Sequence, residues 1–176
     1  MDLSIVPECF VDTNLIETLV PPTGKGYNHQ KGCGTVGRTM QKGLANEFAL
    51  GIIDKDKKEL DYLKEFDEVI NKGSLVLHKH KAKHHYFIQI QPAVERFILA
   101  AATSVGISVE DYELPADLEN FKKETKTEQS KKDPRFKKLF KAIKMRGATD
   151  FITLSCWVEY LKNNPYSADL EFLEAN

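Results

Sequence analysis

Runs of apolar residues alternate with amphipathic stretches along the first two thirds of the chain. Residues 3–6 and 48–53 are continuous apolar runs, which are typical of strands covered on both faces. Residues 74–78 and 86–91 have the composition of two further strands. Strands that alternate with helices predict an α/β fold with a mostly parallel sheet flanked by helices.

Apolar residues at helical spacing predict the helices between these strands. Asp12, Thr13 and Asn14 are capping residues ahead of the first helix, which the prolines at 21–22 end. Gly73 is placed to end a later helix. The full set of predicted helices is the one after Asn14 and those over 35–44, 57–71, 92–104, 136–145 and 150–161.

The chain divides by composition into three stretches. Residues 1–113 contain the predicted α/β core. Residues 114–133 are rich in Pro, Lys and Glu and predict a charged linker with one short helix. Residues 134–176 predict a C-terminal helical pair, an appendage to the core. Trp157 and its apolar neighbours in this pair belong either to a core or to a docking face for another chain.

Composition narrows the classes of function. The chain has 176 residues, 41% of them hydrophobic, and a net charge of −1, so a cationic nucleic-acid surface would have to be local. Three widely spaced cysteines favour reduced thiols and give no zinc signature. The start of the chain lacks a signal-peptide pattern, and the longest apolar run is too short for a membrane span. We therefore expect a cytoplasmic protein with no membrane partner.

Acidic residues follow two of the predicted strands. Glu8 and Asp12 come after the first strand, and Asp54 and Asp56 come after the central one. Ligands in parallel α/β sheets bind at the carboxyl ends of strands, so these acids can converge. Carboxylates so placed repel one another unless a cation is present, and hard oxygen ligands select magnesium or manganese (Mg²⁺ or Mn²⁺).

The stretches VPECFVD (6–12) and IIDKDK (52–57) resemble the Toprim family. This family is the metal-binding domain of topoisomerases, primases and RNase M5-type and overcoming-lysogenization-defect nucleases, and the resemblance covers roughly residues 1–92. It implies Glu8 as an acid/base and metal residue, Asp54 and Asp56 as catalytic metal ligands, and Glu95 as an additional ligand after a later strand. Cys9 stands where the family usually has glycine.

Simpler interpretations remain open for these acids and for two basic segments. Asp12 and Asp54 are also suited to capping helices, and Glu95 to the start of one. In the Gly-rich loop 23–34, Lys25, His29 and Lys31 are candidate phosphate contacts, although the loop lacks Walker spacing and is also typical of a flexible surface loop.

The basic segment 78–85 is the second of these stretches. It would hold phosphate beside the acids if the strand before it is parallel to its neighbours. Otherwise it is a hairpin tip that lysines protect from edge pairing.

Three hypotheses for function follow. The first is metal-dependent phosphoryl transfer, with nucleic-acid phosphodiester hydrolysis by a Toprim-like nuclease as the reaction. The second is a catalytically inactive Toprim-like module that acts with a larger protein such as an ATPase. The third is a small-molecule phosphate or nucleotide binder that uses the loop 23–34.

Overall fold

A five-stranded mixed sheet lies at the centre of the fold, in a computed structural model that describes residues 2–55 and 60–176. The strand order is β1-β2-β5-β4-β3. β1, β2 and β5 are parallel, whereas β3 and β4 add an antiparallel hairpin beside β5. The strands are β1 (Ile5–Pro7), β2 (Ala49–Asp54), β3 (Phe66–Lys72), β4 (Leu75–His80) and β5 (His85–Ile90).

Helices cover both faces of this sheet and continue after its last strand. The α-helices are α1 (Phe10–Leu19), α2 (Cys33–Arg38), α3 (Val94–Ser104), α4 (Leu118–Thr125), α5 (Pro134–Met145), α6 (Thr149–Asn163) and α7 (Leu170–Ala175). A π-helix, Thr39–Gly43, extends α2, and short 3₁₀-helices occupy Asp61–Glu65, Val109–Tyr112 and Glu128–Lys131. The α/β class predicted from the sequence is confirmed, with a sheet that is mixed rather than mostly parallel.

The alternating side chains of β2 explain its continuous apolar run. Leu50 and Ile52 point into the larger hydrophobic cluster, which contains residues of α1, α3, α5 and α6. Ala49 and Ile53 point into a smaller cluster with residues of α2 and the 3₁₀-helix Asp61–Glu65. Both faces are covered, as the sequence predicts for this strand.

The predicted helix over 57–71 is wrong within the described residues. Asp61–Glu65 is a 3₁₀-helix, and the chain then enters β3, which pairs with β4 through a shift of register between Glu68 and Ile70. Phe66 packs into the smaller cluster and Ile70 into the larger one, on opposite faces of the sheet, because the shift of register lies between them. Their spacing of four residues nevertheless matches one face of a helix. The bulge turns Val69 partly inward as well, which completes an apparent helical pattern. Gly73 therefore lies in the two-residue hairpin turn, at φ +59°, and caps no helix.

The segments after residue 113 pack on the same core as the sheet. α4 supplies the short helix expected in 114–133, and its Phe121 is fully buried in the larger cluster. α5 and α6 are close to their predicted bounds, whereas α7 was not predicted. Phe140, Trp157 and Leu173 belong to the cluster that also contains Leu50, so the division into core, linker and helical pair remains only a prediction.

None of the helices in the described ranges combines the length and the apolar character that a bilayer crossing requires.

Candidate active site

Four carboxylic acids meet at the carboxyl edge of the parallel strands. Glu8 directly follows β1 and Asp54 ends β2, while Asp12 lies in the first turn of α1 and Glu95 in the first turn of α3, which follows β5. The parallel directions of β1, β2 and β5 bring all four to one edge. We call Glu8, Asp12, Asp54 and Glu95 the carboxylate cluster.

Hydrogen bonds to the backbone connect the elements of this edge. Glu8 Oε2 accepts a hydrogen bond from the Asp54 backbone N–H at 3.1 Å. Asp54 Oδ1 in turn accepts from the backbone N–H of Val94, the first residue of α3, at 2.9 Å. The ends of β1 and β2 and the start of α3 are therefore held together through two of the acids.

Asp12 takes part in the capping of α1, but it is not the N-cap that the sequence pattern indicated. The helix begins at Phe10, so Asp12 is its third residue and Cys9 is the N-cap. Asp12 Oδ2 accepts from the Cys9 N–H at 3.1 Å, and the Asp12 N–H donates to Cys9 Sγ at 3.4 Å, which is a capping box. The other oxygen, Asp12 Oδ1, is buried without a hydrogen-bond partner, although the residue is only 1% exposed.

Glu95 is buried beneath α4. Its Oε1 accepts a hydrogen bond from the Thr125 hydroxyl at 2.8 Å. Nearby, Asn14 Nδ2 donates to the backbone oxygens of Ser130 and Asp133 at 2.8 and 3.1 Å. The segment 125–133 thus covers the cluster on the side of α1 and α3.

The electrostatics of the cluster reflect its burial and its shared sign of charge. Burial raises the pKa of Asp54, and the neighbouring charges of Asp12, Glu8 and Glu95 raise it further. Burial also raises the pKa of Asp12, with Glu8 and Glu95 adding to the effect and the Cys9 hydrogen bonds opposing it. The neighbouring acids are therefore close enough to disfavour the ionisation of Asp12 and Asp54.

Cys9 is the N-cap beside Asp12 and is a neutral thiol. Burial raises its pKa well above the ordinary range, and the charge of Asp12 adds to the increase. The side chain packs against the main hydrophobic cluster while it caps α1. A thiol held in this way is a structural group rather than a reactive one.

The predicted ligand Asp56 and a formed metal centre are not among the features that the structure describes. Asp56 lies outside the described residues. Within the ranges 2–55 and 60–176, no group of three or more His, Cys, Asp and Glu side chains has the arrangement of a metal centre. Glu8, Asp54 and Glu95 each use a carboxylate oxygen to accept a hydrogen bond from within the fold.

The loop 23–34 separates its three predicted phosphate contacts. It runs along β1, since the N–H groups of Asn28 and Gln30 donate to the oxygens of Ile5 and Pro7. Lys25 therefore lies beside the amino end of β1, where the oxygen of Gly26 accepts from the Asp2 N–H. Lys31 lies at the acidic edge, where the Gly32 N–H donates to the oxygen of Glu8 at 3.3 Å.

His29 occupies the middle of that loop, packed against α1. Its ring stacks on Phe10 at 4.6 Å, and its Nδ1 lies 3.0 Å from the Thr13 hydroxyl. Burial lowers the pKa of His29, and the charge of Lys131 lowers it further. A neutral imidazole is a weaker phosphate ligand than an imidazolium cation would be.

The basic segment 78–85 lies at the other edge of the sheet. β4 is antiparallel to β5, so the turn between them precedes β5 and lies next to Ala49 rather than next to Asp54. The interpretation as a phosphate site beside the acids is wrong, and the segment is the tip of the β4–β5 hairpin. Protection of an exposed sheet edge by its lysines stays a prediction, since β4 and β5 are interior strands. His80 Nδ1 accepts from the N–H groups of Ala82 and Lys83 and so shapes the turn.

Two polar residues at the site, Asn14 and Thr125, were not predicted to belong to it, and the sequence pattern had indicated only a capping role for Asn14. Asn14 and Thr125 connect the covering segment to α1 and to Glu95. A contact of Asn14 with another segment could have been expected, because it lies in a helix rich in apolar residues. Seven of the ten residues of α1 are buried, and a buried amide needs hydrogen-bond partners. Thr125 has no such signal, since its partner lies thirty positions away.

Comparisons of the chain with known protein families, with curated proteins and with solved structures gave no match.

Proposed function

We propose that the carboxylate cluster binds Mg²⁺ or Mn²⁺ and that the protein carries out metal-dependent phosphoryl transfer, with nucleic-acid phosphodiester hydrolysis as the reaction. One observation carries this proposal. Asp12 Oδ1 is a buried carboxylate oxygen without a hydrogen-bond partner, and the charges that act on its carboxyl come from Glu8 and Glu95. A buried oxygen of this kind is costly in any fold unless a cation or another donor satisfies it.

The chemical type of these donors, carboxylate oxygens, suits a hard divalent cation. Carboxylate oxygens on several chain segments are the ligands that Mg²⁺ and Mn²⁺ prefer. A cation would also relieve the mutual repulsion that raises the pKa values of Asp12 and Asp54. The resemblance of the stretches around Glu8 and Asp54 to Toprim motifs supports the same interpretation, and it adds Asp56 to the proposed ligands.

The roles of the residues follow from their positions. Glu8, Asp12, Asp54 and Glu95 would hold the ion, which when bound supplies an activated water and stabilises charge on the phosphate. Glu8, oriented by the Asp54 N–H, would accept or return a proton. Lys31 extends from the loop at the acidic edge, where a phosphate oxygen would approach.

Two measurements test this proposal. Calorimetry with millimolar Mn²⁺ should show binding to the wild-type protein, which should also cleave single-stranded or duplex nucleic acid with Mg²⁺ or Mn²⁺. Asp54→Asn retains an oxygen for the Val94 N–H but loses the charge. We expect it to lower the cleavage rate by at least about 100-fold, because residues that merely orient metal ligands already cost ~10–100-fold.

The matched control is Asp67→Asn, which removes an exposed acid of β3 at the far side of the sheet. It should leave both metal binding and cleavage unchanged. Metal-dependent cleavage that persists at the wild-type rate in Asp54→Asn would refute the assignment.

A specific observation also favours the second hypothesis, an inactive module that acts with a larger protein such as an ATPase. Glu8, Asp12 and Asp54 each accept a hydrogen bond from a backbone N–H, so the fold itself has a use for them. The calorimetric experiment distinguishes the two hypotheses, because an inactive module of this kind would bind neither cation at millimolar concentration.

A further inference from the structure

Helix α5 carries a one-sided concentration of positive charge. Residues 134–146 include six cationic residues and no acidic one, in a chain whose net charge is −1. Four of its apolar residues, Phe136, Leu139, Phe140 and Ile143, are fully buried, whereas Met145 at its end is exposed. The charge is therefore confined to the outer face of a helix whose inner face is fixed in the core.

Two of the six cations have partners within the fold. Arg135 pairs with Asp133 and Glu124, both at 2.7 Å. Lys144 Nζ donates to the backbone oxygen of Leu19 at 3.1 Å and to Ser155 Oγ at 2.7 Å. These two residues hold α5 against α1, α4 and α6, and their charges are used there.

The other cations of α5 face solvent. Lys137, Lys138, Lys141 and Arg146 are exposed, and no residue in the described part of the chain forms an ion pair with them. Lys141 lies one turn beyond both Lys137 and Lys138, so these three side chains share one face of the helix. We call Lys137, Lys138 and Lys141 the α5 lysine stripe.

The amino end of α5 meets the proposed site. Asp133, the N-cap of α5, accepts a hydrogen bond through its backbone oxygen from Asn14, two residues after Asp12 in α1. The helix extends about 18 Å away from that point. A negatively charged chain along the stripe would reach the edge of the sheet where the carboxylate cluster lies.

We infer that the α5 lysine stripe binds the phosphodiester backbone of a nucleic acid and directs it towards the carboxylate cluster. Lysines arranged in this way neutralise phosphates without reading bases, so binding is independent of sequence and sensitive to salt. The direction of the backbone towards the cluster rests on the proposed function. The binding itself does not, and it is measured without metal.

The test is fluorescence anisotropy in EDTA with labelled duplex DNA and labelled single-stranded RNA at a series of salt concentrations. The triple variant Lys137→Gln, Lys138→Gln, Lys141→Gln should weaken binding about 10-fold or more at low salt. The slope of log K against log salt should fall by about 2 to 3 for the duplex. The relative loss on the two probes identifies which form of the backbone the stripe prefers.

The matched control is Lys79→Gln, Lys81→Gln, Lys83→Gln, which removes three lysines at the opposite edge of the sheet. It changes the net charge equally and should leave the affinity within about twofold of wild type. Equal losses in the two triple variants would overturn the inference, since binding would then follow overall charge. Wild-type affinity in the α5 variant, or tighter binding of anionic vesicles than of either nucleic acid, would overturn it too.

Binding in EDTA and cleavage with metal, both measured on the wild-type protein, separate this inference from the proposed function. Nucleic-acid binding without any metal-dependent cleavage would refute the proposed function and leave the stripe. If the wild-type protein cleaves nucleic acid with metal but the α5 variant binds nucleic acid as tightly as wild type, the stripe is refuted and the proposed function stands.

Discussion

Two buried polar clusters lie at opposite ends of β2 and β5, and they differ in how their groups are satisfied. The carboxylate cluster brings together acids of one sign and leaves Asp12 Oδ1 without a partner. The other cluster consists of Tyr62, His80 and His85, in which each imidazole nitrogen has a partner. We call Tyr62, His80 and His85 the histidine cluster.

The hydrogen bonds of the histidine cluster define its tautomers. His85 Nε2 donates to the backbone oxygen of Leu44 at 2.9 Å, so its Nδ1 accepts from the Tyr62 hydroxyl at 2.6 Å. His80 Nδ1 accepts two backbone N–H groups, so its Nε2 donates to Glu65. A polar network in which every member is satisfied makes the fold specific and rigid. The carboxylate cluster instead places like charges close together, which destabilises the fold. Such an arrangement is typical of functional sites.

The largest effect is expected in the histidine cluster. His85→Ala removes a fully buried ring and leaves both the Tyr62 hydroxyl and the Leu44 oxygen without a partner. We expect the free energy of unfolding to fall by about 2–4 kcal/mol. Urea denaturation measures this change. His84→Ala, at the exposed neighbouring position, serves as the control, and an equally small effect of both substitutions would remove the contrast between the clusters.

In the carboxylate cluster we expect a substitution to raise the free energy of unfolding rather than to lower it. Asp54→Asn without metal should raise the free energy of unfolding by about 1 kcal/mol, because burial and three neighbouring acids disfavour the wild-type charge. This corresponds to roughly 2–4 °C in Tm for a chain of this size. Saturating Mn²⁺ should stabilise the wild type but not the variant, which differential scanning calorimetry would show. A loss of stability in metal-free Asp54→Asn would contradict the comparison.

A smaller effect is expected in the pH dependence of stability, to which His85 contributes. Burial lowers its pKa in the folded state, while the unfolded histidine titrates near 6.5. The unfolded state therefore binds more protons below that value, so the stability that neutral His85 contributes is present above pH 6.5 and decreases as the pH falls. Between pH 7 and 5, His85→Gln should lose about 0.5–1 kcal/mol less stability than wild type. His84→Gln should retain the wild-type slope.

Local patterns were sufficient for much of the fold. The strands β1, β2, β4 and β5 were found because each is a short apolar run between polar breaks, and a strand covered on both faces needs such a run. β3 was missed because its bulge imitates helical spacing. The direction of β4 could not be inferred, since pairing is decided by distant partners and not by the strand's own residues. Because β4 is antiparallel to β5, the basic turn lies at the edge of the sheet opposite the acids.

The candidate site shows the same limit. The topological rule brought Glu8 and Asp54 to one edge, and both do lie there. The start of α1 was misplaced because cysteine is a rare N-cap, and Asp12 was taken for the cap. The contacts of Glu95 with Thr125 and of Asn14 with Ser130 join segments far apart in sequence, and no local pattern encodes them.

The capping box of α1 has a consequence for reading related sequences. Glu8 and Asp54 each hold a backbone N–H, so selection for the fold alone would retain them in a relative that had lost any reaction. At position 12 the capping box uses only one carboxylate oxygen, and the other is buried without a hydrogen-bond partner, so the fold alone has no use for it. The identity of residue 12 is therefore a more informative marker of a cation-dependent relative than either of the acids at the strand ends.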